Sequence, residues 1–131
     1  PVFLKIAPDL TAEQLDEIVE IVLETAITGV IATNTTITRN GLKEPAGAIE
    51  AIGAGGLSGA PVLAMSTGVV RYLREKAGNR FSIIGVGGIE DFAGAKAHLD
   101  AGADLVQVYS GFIYTGPMLV RRILKGIACQ S

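Results

Sequence analysis

Polar and glycine residues collect at the ends of four apolar segments that have the composition of buried strands. Lys5 interrupts the first segment, Thr33-Asn34-Thr35-Thr36 follows the second, Gly87-Gly88 follows the third and Tyr109-Ser110 follows the fourth. The carboxyl ends of parallel strands lie along one edge of a sheet, where barrel enzymes build their active sites. We therefore expect one site assembled from these positions, with Gly59 added by a glycine-rich loop.

Lys5 stands inside an apolar segment, between Leu4 and Ile6. In a strand that is covered on both faces an unpaired ammonium group is costly, so this lysine needs an anionic partner. The functional interpretation is that Lys5 stabilises negative charge that develops on a cofactor. The alternative is an edge-strand lysine that discourages aggregation. We favour the functional interpretation.

Two consecutive turns have the composition of a phosphate site. Gly85-Val86-Gly87-Gly88 joins a strand to a helix, and the backbone N–H groups of such a turn, with the helix dipole, bind phosphate. The full dinucleotide fingerprint is missing, because Glu90 stands where its third glycine would fall. Ser110-Gly111 ends the next strand, and barrels frequently build phosphate sites from their last two such turns. A plain tight turn is the alternative interpretation of the first.

Other residue types argue against several classes of site. Thr33–Thr36 can read an amide or carboxylate edge or can simply begin a loop, and the residues alone leave both open. His98, the single histidine, is expected at the helix surface or half-buried, without a catalytic role. Ser58, Ser66 and Ser110 have no evident histidine partner for a hydrolytic triad. No Cys/His cluster indicates a metal site.

The elements that must position these residues form four strand–helix units. Strands are predicted at 2–7, 30–33, 82–86 and 105–109, and residues 37–61 are expected to form one long loop. Continuous apolar strands that alternate with helices predict an α/β fold with a parallel sheet. The sheet could be open and doubly wound, or it could be half of a TIM (βα)8 barrel. Four units in about 130 residues match half of a barrel of about 250 residues, so we expect (βα)4.

Two of the helices carry specific predictions. Thr11 and Gln14 have the spacing of a capping box at the start of the first helix. The next helix is expected to begin near Ser66 and to end at Gly78. Helical spacing in the last helix, after Pro117, predicts a buried face of Leu119, Val120, Ile123, Leu124 and Ile127.

Composition excludes some partners and limits others. Eleven Lys and Arg against thirteen Asp and Glu give a formal net charge of −2, without the clustered basic excess of a nucleic-acid-binding surface. No apolar run approaches about 20 residues, so no transmembrane segment is predicted. The single cysteine, Cys129, is expected as a free thiol. Because the sequence opens in an apolar strand without Met, residues 1–131 are expected to be a single partial domain, a fragment.

Several longer motifs follow one another in a fixed order: Lys5-Ile6-Ala7-Pro8-Asp9-Leu10, Thr33-Asn34-Thr35-Thr36, Gly55-Gly56-Leu57-Ser58-Gly59, Ile83-Ile84-Gly85-Val86-Gly87-Gly88-Ile89 and Tyr109-Ser110. Together, over nearly the whole chain, they resemble class 2 (quinone-linked) dihydroorotate dehydrogenase. The motif that ends at Ile89 is common among FMN barrels, whereas the motifs at 33–36 and 55–59 are far more specific. The resemblance implies strands and helices five to eight, the C-terminal half of an FMN-binding TIM barrel.

The resemblance also implies a role for each predicted site residue. Asn34 and Thr35 would hydrogen-bond the orotate ring, and FMN would be bound by Lys5, Thr33, Gly59, Gly88, Tyr109 and Ser110. The implied reaction oxidises dihydroorotate to orotate in pyrimidine (UMP) synthesis and passes the electrons to a quinone. The implied base is a serine in the N-terminal half, so no catalytic residue is expected in this chain.

The same resemblance implies a peripheral protein of the inner membrane, on the cytoplasmic side in a bacterium or in the mitochondrion of a eukaryote. Its implied partners are dihydroorotate or orotate, the N-terminal half-barrel, and quinone bound through that region. The alternatives are another FMN barrel, such as a dihydropyrimidine dehydrogenase domain, and a half-barrel that binds phosphate ligands without catalysis or is inert. Open sheet edges also predict that the isolated chain aggregates or self-associates.

Overall fold

The computed structural model describes residues 1–129, which form one parallel sheet with helices packed against it. In chain order the elements are β1 (Phe3–Ile6), α1 (Ala12–Glu24), β2 (Gly29–Ala32), α2 (Ala46–Ile52), α3 (Leu63–Ala77), β3 (Ser82–Val86), α4 (Phe92–Asp100), β4 (Leu105–Gln107), α5 (Ser110–Thr115) and α6 (Met118–Ala128). A short 3-10 turn, Ala60–Val62, leads directly into α3. Within residues 1–129 no helix has both the length and the apolar character needed to cross a membrane.

The four strands lie side by side in the order β1-β2-β3-β4, and each pairs in parallel with the next along the chain. A doubly wound sheet instead reverses its strand order at a switch point and carries helices on both faces. An order that runs in one direction is that of consecutive strands in a barrel. The predicted α/β fold with four βα units is therefore confirmed, and the doubly wound alternative is wrong.

Alternate strand residues separate a covered face of the sheet from an uncovered one. Val30 and Ile83, which are register partners, are fully buried in the core that the sheet forms with α1 and α3. The next register row is Lys5, Ile31, Ile84 and Leu105, and it points to the opposite face. Leu105 is 62% exposed there. We call this uncovered side the open face; in a closed barrel it would be the interior.

The first helix begins as its sequence predicts. The Thr11 hydroxyl accepts a hydrogen bond from the Gln14 backbone N–H at 3.3 Å, and the Gln14 side chain accepts one from the Thr11 N–H at 3.0 Å. This capping box satisfies two N–H groups that would otherwise lack partners at the helix start. The helix then buries Leu15, Val19 and Val22 against the sheet.

The segment predicted as one long loop contains a helix. Residues 46–52 form α2, which follows Pro45 and buries none of its residues. Its sequence, AGAIEAI, is apolar on nearly every side, so it lacks the alternation of an apolar and a polar face that reveals packed helices. The following helix, α3, begins at Leu63, three residues before the predicted start at Ser66, and it ends at Gly78 as predicted.

A second, smaller core joins α4 to α6. It contains Ile89, Ala95, Leu119 and Ile123, with Ile127 packed against it. The prediction that Val120 and Leu124 also face the core is wrong, because they are 41% and 61% exposed. In the described part of the chain α6 packs against α4 and α5, so its remaining side has no covering element.

Candidate active site

A cleft of about 200 Å³ opens at the carboxyl ends of the four strands. All eight residues that the sequence predicts for the site contribute to its lining: Lys5, Thr33, Asn34, Thr35, Gly59, Gly88, Tyr109 and Ser110. They come from five separate segments of the chain, which the parallel topology brings to one edge of the sheet. The lining also includes Gln107 and Ile89, which sequence reasoning did not single out as site residues.

The strand tip after β2 is fixed through its backbone. The Thr33 N–H donates to the Val86 carbonyl at 2.7 Å, and the Asn34 N–H donates to the Ile6 carbonyl at 2.7 Å. The tip is therefore tied to the strands on both sides. Thr33 is buried, whereas the side chains of Asn34 and Thr35 are exposed beside the cleft. Those two side chains are free to contact a ligand while their backbone is held.

Asp9 anchors the far end of the same tip, and sequence reasoning gave it no role. Its carboxylate accepts hydrogen bonds from the Thr36 hydroxyl at 2.5 Å and from the Ile37 N–H at 3.3 Å. Thr36 also exchanges two backbone hydrogen bonds with Leu57, at 3.0 and 2.8 Å, in an isolated antiparallel bridge. A carboxylate two residues before the helix N-cap Thr11 could have been noticed, but its partner, 27 residues away, could not.

The turn after β3 needs glycine for two reasons. Gly87 and Gly88 have φ values of 128° and 71°, which side chains rarely adopt. A Cβ at Gly88 would lie 2.5 Å from the Cβ of Leu63 and 2.7 Å from its backbone nitrogen. The start of α3 therefore packs directly on the turn, and glycine at 88 lets the two backbones approach.

The turn after β4 packs against the first one. A Cβ at Gly111 would lie 2.1 Å from the carbonyl oxygen of Ile89, so these two backbones also touch. The Ser110 hydroxyl donates to the hydroxyl of Ser58 at 2.9 Å, which links this turn to the glycine-rich loop. The Glu90 carboxylate accepts from the Ala60 N–H at 3.2 Å and holds the same loop from the other side.

The charge of the cleft favours an anionic ligand. Lys5 is exposed on the open face and is the one charged residue among those that line the cleft in the described chain. No acceptor within residues 1–129 takes the backbone N–H of Gly88 or of Ser110. One cation and backbone donors from two turns, without a carboxylate, are the components of a phosphate site.

His98 does not lie where the sequence predicts. It is completely buried beneath the turn after β3, and burial lowers the pKa of its imidazole. Its Nε2 lies 2.9 Å from the Gly87 carbonyl oxygen and 3.4 Å from the Ser66 hydroxyl. The expectation that Ser66 lacks a histidine neighbour is also wrong. Both side chains are fully enclosed, so the pair is not a nucleophile that a substrate in the cleft could reach.

The sequence does not predict the burial of the imidazole, because histidine is a polar residue type of intermediate burial that is ordinarily at least partly solvated on a short helix. The space for the ring comes from Gly85 on β3, where a Cβ would lie 2.6 Å from Nδ1 of His98. Among the described residues, no three His, Cys, Asp or Glu side chains come together as a metal site requires.

The family model for dihydroorotate dehydrogenase matches residues 1–130. The chain belongs to the dihydroorotate dehydrogenase family. Curated relatives named dihydroorotate dehydrogenase (quinone) include proteins from Christiangramia forsetii, 57% identical over 97% of the chain, and Rhodococcus erythropolis, 52% identical over 98%. The chain corresponds to 36% of the length of each, so it spans about a third of these dihydroorotate dehydrogenases.

Solved structures agree with the family assignment. The crystal structure of dihydroorotate dehydrogenase from Eimeria tenella in complex with ferulenol superposes with a TM-score of 0.87 at 41% identity. The ligand-free enzyme from the same organism gives 0.86. The matches cover 97% and 95% of the chain and 33% and 34% of those structures. The four βα units are thus arranged as in one sector of a dihydroorotate dehydrogenase barrel.

Proposed function

We propose that this chain supplies strands five to eight of an FMN-binding barrel that oxidises dihydroorotate to orotate in pyrimidine synthesis and passes the electrons to quinone. The observation that carries the proposal is the meeting of all eight predicted residues around one cleft. Membership of the dihydroorotate dehydrogenase family supports the reaction. The name of these relatives, dihydroorotate dehydrogenase (quinone), supports quinone as the electron acceptor.

The donors in the cleft fit FMN. The phosphate group would be bound by backbone N–H groups of Gly88, Tyr109 and Ser110, with Gly59 approaching from the glycine-rich loop. Thr33 would contact the flavin from the base of the cleft. When bound, FMN supplies the hydride acceptor. The Lys5 ammonium group would lie against the ring and stabilise the negative charge of its reduced form, which is electrostatic stabilisation of developing charge.

Asn34 and Thr35 would bind dihydroorotate. An amide side chain both donates and accepts hydrogen bonds, and a hydroxyl does the same, so the pair matches the amide edges and the carboxylate of this ring. Their backbone is tied down by Ile6, Val86 and Asp9 while the side chains stay exposed. A held backbone reduces the entropy that is lost when the two side chains contact a substrate.

The proton-abstracting base would come from outside residues 1–131. Ser58 and Ser110 line the cleft, but they hydrogen-bond to each other, and no histidine or carboxylate contacts either hydroxyl among the described residues. The open face, with Lys5 and Leu105 uncovered, is where a preceding half-barrel would close the site. We assign the base, the quinone contact and peripheral attachment to the inner membrane to that preceding region.

The test needs a complete barrel, meaning this chain in one polypeptide with its preceding half, taken from the Christiangramia forsetii relative if necessary. We expect a purified complete barrel to show a flavin absorbance spectrum that bleaches when dihydroorotate is added without oxygen. A folded complete barrel that neither retains nor takes up FMN contradicts the proposal. Bleaching by dihydrouracil but not by dihydroorotate would favour a dihydropyrimidine dehydrogenase instead, and phosphate binding without any bleaching would favour a non-catalytic half-barrel.

A further inference from the structure

Two buried side chains converge on one backbone carbonyl beneath the cleft. The Gly87 carbonyl oxygen lies 2.9 Å from Nε2 of His98 and 3.2 Å from the Ser66 hydroxyl, whose single proton is shared with the Leu63 carbonyl at 3.1 Å. Ser66 and His98 are both completely buried, one on α3 and one on α4. Side chains from two helices, α3 and α4, therefore contact the turn on the side that faces away from the cleft.

The surroundings of the ring determine which nitrogen of His98 carries the proton. Nε2 faces the Gly87 carbonyl oxygen, which can only accept, so Nε2 must be the donor. Nδ1 is buried without a hydrogen-bond partner among the described residues. A second proton on Nδ1 would be an uncompensated charge in the interior, which is costly. The ring is therefore a neutral donor directed at the turn.

The orientation of this carbonyl fixes the orientation of the next N–H group. The carbonyl of Gly87 and the N–H of Gly88 belong to one peptide unit, and in a trans peptide these two groups point in opposite directions. Because the carbonyl points down toward His98 and Ser66, the Gly88 N–H points away from them, toward the cleft that Gly88 lines. A glycine pair with positive φ has alternative orientations open to it, so something must select this one.

We infer that His98, assisted by Ser66, is a positioning residue that orients the Gly87–Gly88 peptide and thereby sets the affinity of the cleft for the phosphate group of its ligand. The inference rests on the proposed FMN site. It assigns a binding consequence to a residue that touches no ligand and that lies outside the eight predicted site residues.

The test compares FMN with riboflavin, which lacks the phosphate group, on the apo form of the complete barrel. His98→Phe keeps a ring but removes the donor, and we expect FMN to bind about tenfold or more weakly, the factor for losing a hydrogen bond to a charged group. Riboflavin affinity should change much less. His98→Gln, which can still present an N–H group to Gly87, should recover part of the lost FMN preference. Ser66→Ala should lower the ratio of FMN to riboflavin affinity, as His98→Phe does, but by a smaller factor.

A matched control separates positioning from general destabilisation. Leu73→Ala also alters a fully buried side chain, but in the core formed with α1 and the sheet, so it should lower the melting temperature without changing the ratio of FMN to riboflavin affinity. If His98→Phe weakens both ligands equally, or neither, the inference is wrong. If His98→Phe does not fold, the ratio of FMN to riboflavin affinity in His98→Gln and in Ser66→Ala tests the inference instead. A parent barrel that binds both ligands equally refutes the phosphate site itself, and the inference fails with it.

Discussion

Replacing Gly88 by alanine tests whether the start of α3 forces glycine at the phosphate turn. At φ 71° an alanine costs about 1–2 kcal/mol in any surroundings. The added Cβ would also lie 2.7 Å from the backbone nitrogen of Leu63, an atom that cannot rotate away. Overpacking of this kind typically costs about 1–3 kcal/mol. We therefore expect Gly88→Ala to reduce the free energy of unfolding of the complete barrel by about 2–5 kcal/mol.

Gly116 provides the matched control. Its φ is 74°, nearly that of Gly88, but a Cβ there would meet no atom within 4 Å. Since its ψ is −170°, a region that is essentially restricted to glycine, Gly116→Ala should cost only the conformational part, about 1–3 kcal/mol. Urea unfolding of both variants measures the difference, and FMN titration should show weakened binding for Gly88→Ala alone. Equal losses of stability in the two variants would refute the argument from close approach.

Four further outcomes follow from the site and the open sheet. Lys5→Met in the complete barrel should slow the reduction of bound flavin by dihydroorotate about 100-fold or more, measured by stopped-flow absorbance, while FMN affinity persists. Asp9→Ala should raise the KM for dihydroorotate about tenfold without changing FMN affinity, because it removes the acceptor that holds the strand tip. Asp16→Ala, which removes a carboxylate that joins α1 to Tyr72 and Lys76 of α3 and does not line the cleft, should leave KM unchanged. Burial lowers the pKa of His98, so as pH falls below about 6.5 this histidine is protonated in the unfolded chain before it is protonated in the folded one. The stability of the folded protein should therefore be greatest above that pH and should fall as pH is lowered toward 5.5. Melting temperatures measured across this range should depend less on pH in His98→Gln. The isolated chain should sediment as oligomers or aggregates, because β1 and β4 have unpaired edges, and a monodisperse monomer that melts cooperatively would contradict this.

Local signals in the sequence predict most of the fold. The capping box at Thr11, the strand Ser82–Val86 and the helix end at Gly78 each depend on a few neighbouring residues, and each is found as predicted. The helix at 46–52 was missed because it buries nothing. Val120 and Leu124 were assigned to the core because helical spacing shows that a face is apolar, but it does not show whether another element covers that face.

The candidate site likewise contains some residues that the sequence predicts and others that it does not. Most of the eight predicted residues that line the cleft stand at or near strand ends, which parallel topology brings together, whereas Gly59 was predicted from the glycine-rich loop. The residues that hold the lining in place could not be predicted from the sequence. Asp9 reaches Thr36 across 27 positions, and His98, which was expected at the helix surface or half-buried, reaches the carbonyl of Gly87. These contacts depend on packing between elements, which no local spacing encodes.

The fit between His98 and Gly85 couples substitutions at the two positions. The imidazole occupies the space that any side chain on residue 85 would need, since a Cβ there would lie 2.6 Å from Nδ1. A mutation that adds a side chain at 85 is therefore tolerated only in a background where residue 98 has already become smaller or moved aside. The order of substitution matters, and the route from this sequence to one with a larger residue at 85 passes through a change on α4 first.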